Sequence, residues 1–265
     1  MTNFYNNKVI WITGASSGIG KGLVEVLSQY AATIVISARR ESELQNVLHE
    51  NKNNGAKIHI LAFDLLAIED FKAHTVSIIE QFGRIDILFN NGGISQRSLA
   101  IETPLEIERK IMEVNYFSNI ELTKCVLPFM LVQKRGIIAV TSSISGKFGY
   151  YQRSGYAASK HALHGYYESL YLENRLQGIH VTMICPGSIK TNISHNAINK
   201  EGQPTGVSEE RLEKGMDAVA CAQQIVSAVA KNKKEILIGN KELIPVYLKR
   251  YLPSLFWRII QSIKP

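Results

Sequence analysis

Tyr156 and Lys160 are the residues of this chain whose types and spacing best suit acid–base chemistry. They stand four residues apart in a stretch whose small and apolar residues recur at helical spacing, so both side chains project from one face of a predicted helix. A phenol titrates near ~10 and exchanges protons poorly at neutral pH unless a cation stabilises its phenolate, which Lys160 can do from one turn away. The alternative is a solvated surface pair, because such neighbours are common on helices.

Ser143 is the third residue that suits this chemistry. It precedes Tyr156 by thirteen residues and follows the β-rich run GIIAVTS. A hydroxyl at the end of a strand can hold a substrate oxygen against the phenol. Ser143, Tyr156 and Lys160 are therefore the predicted acid–base residues of a site at which a strand end meets a helix.

Runs of β-branched and apolar residues recur along the chain, separated by stretches with helical periodicity. The predicted strands are 8–12, 33–38, 57–63, 85–89, 136–142, 179–184 and 235–239. This alternation predicts the α/β class, with a single-domain Rossmann fold and a doubly wound, parallel, seven-stranded sheet with helices on both faces. The active site then lies at the carboxyl ends of the strands. One helix is predicted from about 208 to 231.

A glycine-rich turn, TGASSGIG at 13–20, joins the first strand to an amphipathic helix. Gly14 permits the tight turn, Gly18 lets the backbone approach a pyrophosphate, and Gly20 lets the helix pack closely on the strand, while the helix N-terminus faces the phosphates. Glycine-rich turns of this kind also occur for structural reasons alone. The predicted cofactor-binding residues of this turn are Gly14, Ser16, Ser17, Gly18, Ile19 and Gly20.

The second predicted strand ends in Ala38, Arg39 and Arg40. An acidic residue near this strand end holds the ribose hydroxyls in NAD-binding Rossmann units, whereas a cation accommodates the 2′-phosphate of NADP. Since no acid is present, Arg39 and Arg40 predict a preference for NADP(H) over NAD(H). The alternative is that both arginines begin the following helix as solvated charges.

These motifs resemble those of the short-chain dehydrogenase/reductase family. TGASSGIG is similar to its cofactor motif, and Ser143, Tyr156 and Lys160 match its catalytic residues position by position. The resemblance implies that Asn115, in MEVNYF, is a fourth catalytic residue, which helps to hold a water that relays protons from the lysine. An asparagine merely tolerated within a helix is the alternative, at a mild cost in helix propensity.

The resemblance also implies further cofactor contacts. Asp64 and Leu65 would contact the adenine, although Asp64 could instead cap a helix. The segment NNGG at 90–93 is similar to the family's Asn-Asn-Ala-Gly. Ile189 and Thr191, after Pro186-Gly187, would contact the nicotinamide end, with a simple Pro-Gly turn as the alternative. The cofactor contacts implied in this way are Asp64, Leu65, Asn91, Gly93, Tyr156, Lys160, Ile189 and Thr191.

Two longer stretches, NNGGISQRSLAIETPLE and LTKCVLPFM, resemble one branch of the family, dehydrogenase/reductase member seven. Its characterised relatives are associated with lipophilic carbonyl compounds such as steroids and retinoids. The resemblance therefore implies a lipophilic small-molecule substrate, and members of the family are commonly homodimers or homotetramers.

Composition excludes several other classes of protein. The 265 residues are 45% hydrophobic and 20% charged, which is typical of a globular domain. The formal charge of +7 is dispersed along the chain without an aromatic-studded basic stripe, so we expect no nucleic-acid partner. Cys125, Cys185 and Cys221 follow no metal-ligand spacing and are expected to be buried thiols, with no metal. With neither a signal peptide nor an apolar span, a cytoplasmic location is expected.

The predicted organisation is a Rossmann domain at 1–240 with a polar substrate lid at about 192–206, followed by an amphipathic tail at 241–265. The tail carries aromatic residues among Leu and Ile, with Pro253 and several cations interspersed. It could close the pocket, pack on a partner subunit, or make peripheral contact with a membrane surface.

The predicted function is that of an NADP(H)-dependent oxidoreductase acting on CH–OH and C=O groups, with Tyr156 as the general acid/base. It would interconvert a lipophilic ketone or aldehyde and the alcohol by hydride transfer. One alternative is a 3-oxoacyl or 3-ketosphinganine type of reductase. Another, from a different class, is a non-catalytic NADP-binding regulator.

Overall fold

The computed structural model describes residues 3–261. Its strands are β1 (Val9–Thr13), β2 (Thr33–Ser37), β3 (Lys57–Ile60), β4 (Ile87–Asn90), β5 (Gly136–Thr141), β6 (Ile179–Pro186) and β7 (Glu235–Ile238). Its α-helices are α1 (Gly18–Leu27), α2 (Glu41–Asn51), α3 (Phe71–Phe82), α4 (Leu105–Met112), α5 (Ser118–Val132), α6 (Ser154–Asn174), α7 (Glu210–Glu213), α8 (Ala218–Ala230), α9 (Ile244–Tyr251) and α10 (Pro253–Ile260). One π-helical turn, Glu113–Phe117, joins α4 to α5.

The strands form a seven-stranded sheet in the order β3-β2-β1-β4-β5-β6-β7, and each neighbouring pair is parallel. The chain winds outward from β1 to β3 and then returns to place β4 on the other side of β1. Such a reversal opens a crevice at the carboxyl ends of the central strands, which is where ligands bind in folds of this kind. The predicted doubly wound parallel sheet is confirmed.

Side chains alternate between two cores, one on each face of the sheet. Ile10 and Ile12 of β1 pack with α1, α2 and α8, whereas Trp11 packs on the opposite face with α3, α5 and α6. Because both faces are covered, the central strands are apolar throughout rather than alternately polar. Burial of each large apolar side chain contributes about 1.5–3 kcal/mol. The predicted helices on both faces are confirmed.

The predicted single helix at 208–231 is wrong. The segment forms the short α7 and then α8, which begins after Asp217. Gly215 lies so close to the main chain of Ser188 that a Cβ there would be 2.5 Å from the Ser188 carbonyl oxygen, and the Met216 amide donates to that oxygen. Asp217 then caps α8 by accepting from the amides of Val219 and Ala220. This tertiary contact overrides the local helical pattern.

The C-terminal segment forms α9 and α10, which meet at Pro253, the first residue of α10. Phe256 is 2% exposed because it packs edge-on against Phe148, with the ring centres 5.7 Å apart. Ile144, directly after Ser143, belongs to the same small core. Among residues 3–261, none of the helices combines the length and the apolar character that a membrane span requires.

Candidate active site

A cavity of about 520 Å³ lies at the carboxyl ends of the strands, within the usual size range of small-molecule sites. The predicted site residues that line it are Gly14, Ser16, Ser17, Gly18, Ile19, Arg39, Arg40, Asp64, Leu65, Asn91, Gly93, Ser143, Tyr156, Lys160, Ile189 and Thr191. The cavity therefore brings together predicted residues from widely separated parts of the chain. Gly20 and Asn115 are not among its lining residues.

The glycine-rich turn shapes one end of the cavity, which we call the glycine-loop end (13–20). Gly14 has φ +65°, and a Cβ there would be 2.7 Å from the Cα of Gly92. Gly20 lies behind the turn, where a Cβ would be 2.1 Å from the Gly14 carbonyl oxygen. Ser17, the N-cap of α1, makes no capping hydrogen bond with its side chain, and α1 has no acidic residue in its first turn. The helix N-terminus therefore presents amides and a positive dipole end to the cavity.

Arg39 and Asp64 lie at the far edge of the glycine-loop end. Arg39 Nη1 is 3.9 Å from Asp64 Oδ2, and both side chains are exposed. A long, exposed ion pair contributes little stability, so Arg39 can leave it for a stronger anion at small cost. Asp64 Oδ1 accepts from the Leu66 amide at 3.0 Å, and α3 begins only at Phe71, so Asp64 forms a local turn rather than capping that helix.

Tyr156, Lys160 and Ser143 lie together at the opposite end, which we call the Tyr156 end. Tyr156 sits in the first turns of α6 and is 7% exposed, and Lys160 one turn later is 4% exposed. The Lys160 ammonium donates to the Thr141 carbonyl at 2.8 Å and lies 5.8 Å from the centre of the Tyr156 ring. Ser143 follows β5 and caps a short 3-10 turn by accepting from the Ser145 amide at 3.1 Å.

The charges around Tyr156 include one that the sequence analysis did not consider. Burial raises the pKa of the Tyr156 phenol, while a hydrogen bond with Ser143 and the charge of Arg153 lower it. Burial also lowers the pKa of Lys160 to about 8. A cation that opposes burial at the phenol is thus Arg153, three residues before Tyr156, which the sequence analysis did not identify.

Asn115 is fully buried in the π-helical turn between α4 and α5. Its Oδ1 accepts from the Ile94 amide at 2.8 Å, and its Nδ2 donates to the Ile94 carbonyl at 2.9 Å and to Ser159 Oγ at 3.0 Å. These bonds tie the segment after β4 to α6, the helix that carries Tyr156 and Lys160. π-Helical turns inside helices are frequent at functional sites. The side chain acts here as a brace, and the proton-relay role stays a prediction.

Gln96 is a site residue that the sequence analysis missed. It is fully buried, and its Oε1 accepts from the amides of Gly155 at 2.8 Å and Tyr156 at 3.2 Å. These are first-turn amides of α6, and Arg153 at the N-cap makes no capping bond with them. A helix without its own capping side chain needs a distant acceptor. The sequence indicated neither the missing cap nor the partner that replaces it, since Ser154, a residue type that often caps helices, stands directly after Arg153.

Residues 192–206 form the side of the Tyr156 end that the sequence analysis predicted as a lid. Asn192, Ile193, Asn196 and Ile198 line the cavity. The Ile198 amide donates to the Ser95 carbonyl at 2.9 Å, and the Arg97 amide donates to the Ile198 carbonyl at 2.9 Å. The segment is thus hydrogen-bonded across the cavity to the chain that follows β4.

A group of residues with metal-ligand side chains lies behind the site. His164, Cys185 and Glu235 place one potential ligand atom each within 4.8 Å of one another. However, the Lys147 ammonium bonds to Glu235 and lies 3.2 Å from His164 Nδ1. Burial lowers the pKa of His164 to about 4 and raises that of Cys185 to about 12, so both are neutral. Because an ammonium already holds this position, we assign no metal site here.

This chain is similar to known sequences over most of its length. Residues 8–202 match the family model described as short chain dehydrogenase. Dehydrogenase/reductase SDR family member 7 of Homo sapiens is 40% identical over 257 residues, which cover 95% of this chain and 76% of that protein. Dehydrogenase/reductase SDR family member 7B of Rattus norvegicus is 37% identical over 266 residues, which cover 98% of this chain and 82% of that protein.

Solved structures share the fold. A short-chain dehydrogenase/reductase from Burkholderia phymatum, in complex with NAD, superposes with a TM-score of 0.85 at 24% identity and covers 95% of each chain. An alcohol dehydrogenase from the archaeon Thermococcus sibiricus, complexed with 5-hydroxy-NADP, has a TM-score of 0.76 at 22% identity and covers 89% of this chain and 98% of that one. At these identities the likeness concerns the fold alone.

Proposed function

Because this chain belongs to the short-chain dehydrogenase/reductase family of oxidoreductases, within its dehydrogenase/reductase member 7 branch, we propose that it interconverts a lipophilic ketone or aldehyde and the alcohol with NADP(H). The observation that carries the proposal is the convergence of Ser143, Tyr156 and Lys160 on one wall of a cavity whose other end is the glycine loop. This arrangement supports an acid–base role for Tyr156 beside a phosphate-binding role for the glycine loop.

The residues present fit a nicotinamide dinucleotide. The glycines of the loop leave no room for side chains at the glycine-loop end. A Cβ at Gly14 would meet the main chain of Gly92, and one at Gly18 would be 2.8 Å from the Thr191 side chain, so the backbone itself can approach the cofactor. The uncapped N-terminus of α1 would hold the phosphates. Asp64, Leu65, Asn91 and Gly93, with Ile189 and Thr191, would hold the remainder of the dinucleotide. When bound, the cofactor supplies or accepts the hydride.

The chain's own residues manage the proton. In reduction, the Tyr156 hydroxyl donates its proton to the carbonyl oxygen, and in oxidation the Tyr156 phenolate accepts it from the alcohol. Ser143 holds that oxygen against the phenol by a hydrogen bond. Lys160, buried and tied to the Thr141 carbonyl, carries a proton whose pKa is lowered to about 8, which suits its transfer near neutral pH. Asn115 bonds to Ile94 after β4 and to Ser159 on α6, which fixes these two segments relative to one another and would support the proton relay from Lys160.

Preference for NADP(H) is supported by Arg39 and Arg40. Both line the cavity, and the ion pair between Arg39 and Asp64 is long and exposed. A 2′-phosphate offers Arg39 a doubly charged partner that accepts bidentate hydrogen bonds, which are stronger than a 3.9 Å contact with a carboxylate. Reduction is then the proposed direction in the cell.

A lipophilic substrate is supported by the wall of the Tyr156 end. The apolar residues that line it are Ile94, Val114, Ile193, Ile198, Pro204 and Leu212. A steroid- or retinoid-like carbonyl compound suits such a wall, since apolar contact area supplies most of its binding free energy. The alternatives are a 3-oxoacyl or 3-ketosphinganine type of reductase, and a non-catalytic NADP-binding regulator.

The deciding experiment compares wild type with Tyr156→Phe for NADPH and NADH binding and for turnover of steroid, retinal, quinone and 3-oxoacyl carbonyl compounds. We expect NADPH oxidation that falls by about 10²–10⁴-fold in the variant while the dinucleotide Kd is unchanged. Turnover confined to acyl ketones would favour the fatty-chain reductase. Tight binding without turnover of any compound would favour the regulator, and failure to bind either dinucleotide would reject the proposal.

The proposal extends to the tail at 241–265, whose described part is exposed and basic. Tyr247, Tyr251 and Trp257 are each more than half exposed, and residues 243–261 contain Lys249, Arg250 and Arg258 but no carboxylate. Aromatic and cationic side chains together favour peripheral contact with an anionic lipid surface. We expect sedimentation with phosphatidylserine vesicles but not with phosphatidylcholine vesicles, and loss of binding in Trp257→Gln. Equal recovery with both vesicle types would contradict this.

A homodimer or homotetramer in the cytoplasm completes the proposal. The family resemblance supports the assembly, and the burial of Cys185 and Cys221 as unpaired thiols supports a reducing compartment. Sedimentation velocity at micromolar concentration should give a species of two or four chains. If the protein is instead a monomer and only vesicles protect the tail from proteolysis, the exposed tail contacts the membrane and not a second subunit.

A further inference from the structure

Arg153 and Glu209 form a largely buried ion pair at the beginning of α6. The Arg153 side chain is 7% exposed and that of Glu209 is 18% exposed. Arg153 Nη1 donates to the Gln96 carbonyl at 2.8 Å and to Ser95 Oγ, while Nη2 donates to Glu209 Oε1. The guanidinium therefore joins three parts of the chain: the segment after β4, the N-terminus of α6, and the segment that contains Glu209.

Glu209 is the carboxylate that connects this ion pair to the lid region. Its amide donates to Ser194 Oγ at 3.2 Å, and its carbonyl accepts from the Leu212 amide at 2.8 Å at the beginning of α7. Leu212 itself lines the cavity, as do residues within 192–204. Glu209 thus links the polar loop and α7 into one flap, defined here as residues 192–213.

Main-chain and side-chain contacts attach the flap to the rest of the chain. Ile198 makes a pair of main-chain hydrogen bonds with Ser95 and Arg97. On the exposed side, Lys200 pairs with Glu102 at 3.8 Å and Arg211 donates to the Tyr150 hydroxyl at 3.0 Å.

The ion pair between Arg153 and Glu209 is the largely buried side-chain attachment, and its loss would leave a buried guanidinium without its carboxylate. A change of charge can break it without altering the main chain.

We propose that the ion pair between Arg153 and Glu209 is a latch that holds the flap closed over the Tyr156 end, and that Arg153 is a positioning residue that couples closure to proton transfer at Tyr156. The inference rests on the proposed oxidoreductase function for the second part only. The first part concerns the flap itself and is testable without substrate.

Geometry and electrostatics support the coupling. Arg153 donates to the Gln96 carbonyl at 2.8 Å, and the Gln96 side chain accepts from the Tyr156 amide at 3.2 Å, so both residues are held by Gln96. The charge of Arg153 lowers the pKa of the Tyr156 phenol against the effect of burial. Glu209 neutralises part of that charge, so the field at the phenol depends on whether the latch is closed. The other charged groups near this end are Lys160 beside Tyr156, Lys110 on the cavity wall, Glu108 bonded to Ser154, and Arg211 at 3.5 Å from Glu209.

Glu209→Gln and Arg153→Met are the test pair, with Glu210→Gln as the matched control because Glu210 is exposed on the same helix and pairs with exposed Lys214. Hydrogen exchange is measured first, without substrate. We expect amides of 192–213 to exchange about tenfold faster in both test variants, and as in wild type in the control. Unchanged exchange in both test variants would overturn the latch.

The pH profile of kcat/KM for alcohol oxidation then tests the coupling. Both variants should raise KM about tenfold through loss of closure. Glu209→Gln leaves the Arg153 charge unneutralised and should lower the midpoint of the profile, whereas Arg153→Met removes the cation and should raise it, by roughly one unit. Shifts in the same direction, or no shift, would overturn the coupling.

Arg153→Lys separates charge from geometry and covers the case in which Arg153→Met does not fold. It keeps the cation but loses the two-nitrogen fork. We expect fast exchange in 192–213 with a midpoint lowered as in Glu209→Gln, because the cation remains while the latch is open, and wild-type exchange in this variant would overturn the latch. If wild type turns over no substrate with any nicotinamide dinucleotide, the proposed function fails, while the exchange measurement still decides the latch.

Discussion

The two ends of the cavity are built from different kinds of contact. At the glycine-loop end, main-chain atoms approach one another closely: Gly14 lies against Gly92, and Gly20 lies against the Gly14 carbonyl. The ion pair described at this end, between Arg39 and Asp64, is exposed. At the Tyr156 end, buried side chains from distant segments bind one another. Gln96 accepts a hydrogen bond from the first turn of α6, and Arg153 forms an ion pair with Glu209. The glycine-loop end is thus shaped by close main-chain approach, with hydrogen bonds from the Asn91 side chain to the Thr13 carbonyl and from the Gly92 amide to the Thr13 hydroxyl. The Tyr156 end is instead held mainly by buried side chains from distant segments.

Gly20→Ala should break the glycine-loop end and have the largest effect. The added Cβ would lie 2.1 Å from the Gly14 carbonyl oxygen, so the turn and α1 must move apart. We expect dinucleotide affinity to fall by at least about 10³-fold, since a clash with backbone cannot be relieved by a rotamer change. Isothermal titration with NADPH measures this. Gly165→Ala in α6, whose Cβ would meet nothing within 4 Å and whose φ is not positive, tests the cost of an added methyl group alone.

Gln96→Leu should break the Tyr156 end while sparing the other. The substitution orphans the buried amides of Gly155 and Tyr156, each of which costs about 1–3 kcal/mol when unpaired. We expect the free energy of unfolding in urea to fall by roughly 4 kcal/mol, and kcat to fall more than NADPH affinity. An equal loss of both would show that the two ends are not independent. Gln96→Glu keeps the acceptor and should restore most of the stability.

This contrast explains how much could be predicted from the sequence. The glycine loop, Arg39 and the parallel sheet depend on local patterns, so they were read directly from runs such as TGASSGIG. Ser143, Tyr156 and Lys160 were readable because their spacing is a motif. Gln96 and Glu209 carry no local signal, since their partners lie 59 and 56 residues away. The break between α7 and α8 was missed for the same reason, because it depends on the contact between Gly215 and Ser188.

His164 should make the stability of the Tyr156 end depend on pH, whereas dinucleotide binding at the glycine-loop end should not. Its imidazole accepts from Lys147 and contacts Ser142, beside Ser143, so it supports the Tyr156 end from behind. Burial lowers its pKa from 6.5 to about 4, so the folded state favours neutral imidazole. The stability that this contributes is fully present above about pH 6.5 and is lost as the pH falls toward 4, by up to roughly 3 kcal/mol.

Urea unfolding of wild type and His164→Gln between pH 4.5 and 7.5 measures this loss. The glutamine keeps a polar partner for Ser142 but does not titrate, so the stability of the variant should fall less steeply below pH 6.5. Parallel curves for the two proteins would contradict the expectation. Dinucleotide binding should respond little to this substitution, because the cluster lies at the Tyr156 end.

Arg39→Ala tests a charged side chain at the edge of the glycine-loop end, and its expected effect is the smallest. Since the ion pair with Asp64 is exposed and 3.9 Å long, the folded protein should lose almost no stability. NADPH affinity should fall about tenfold to a hundredfold through loss of one charge-assisted contact with the 2′-phosphate, while NADH affinity stays within about twofold. Arg40→Ala tests the adjacent cation, which also lines the cavity, and shows how the two arginines share the preference. If Arg39→Ala weakens both dinucleotides equally, Arg39 supports the adenosine pocket as a whole, and the choice between NADPH and NADH depends on other groups at the glycine-loop end.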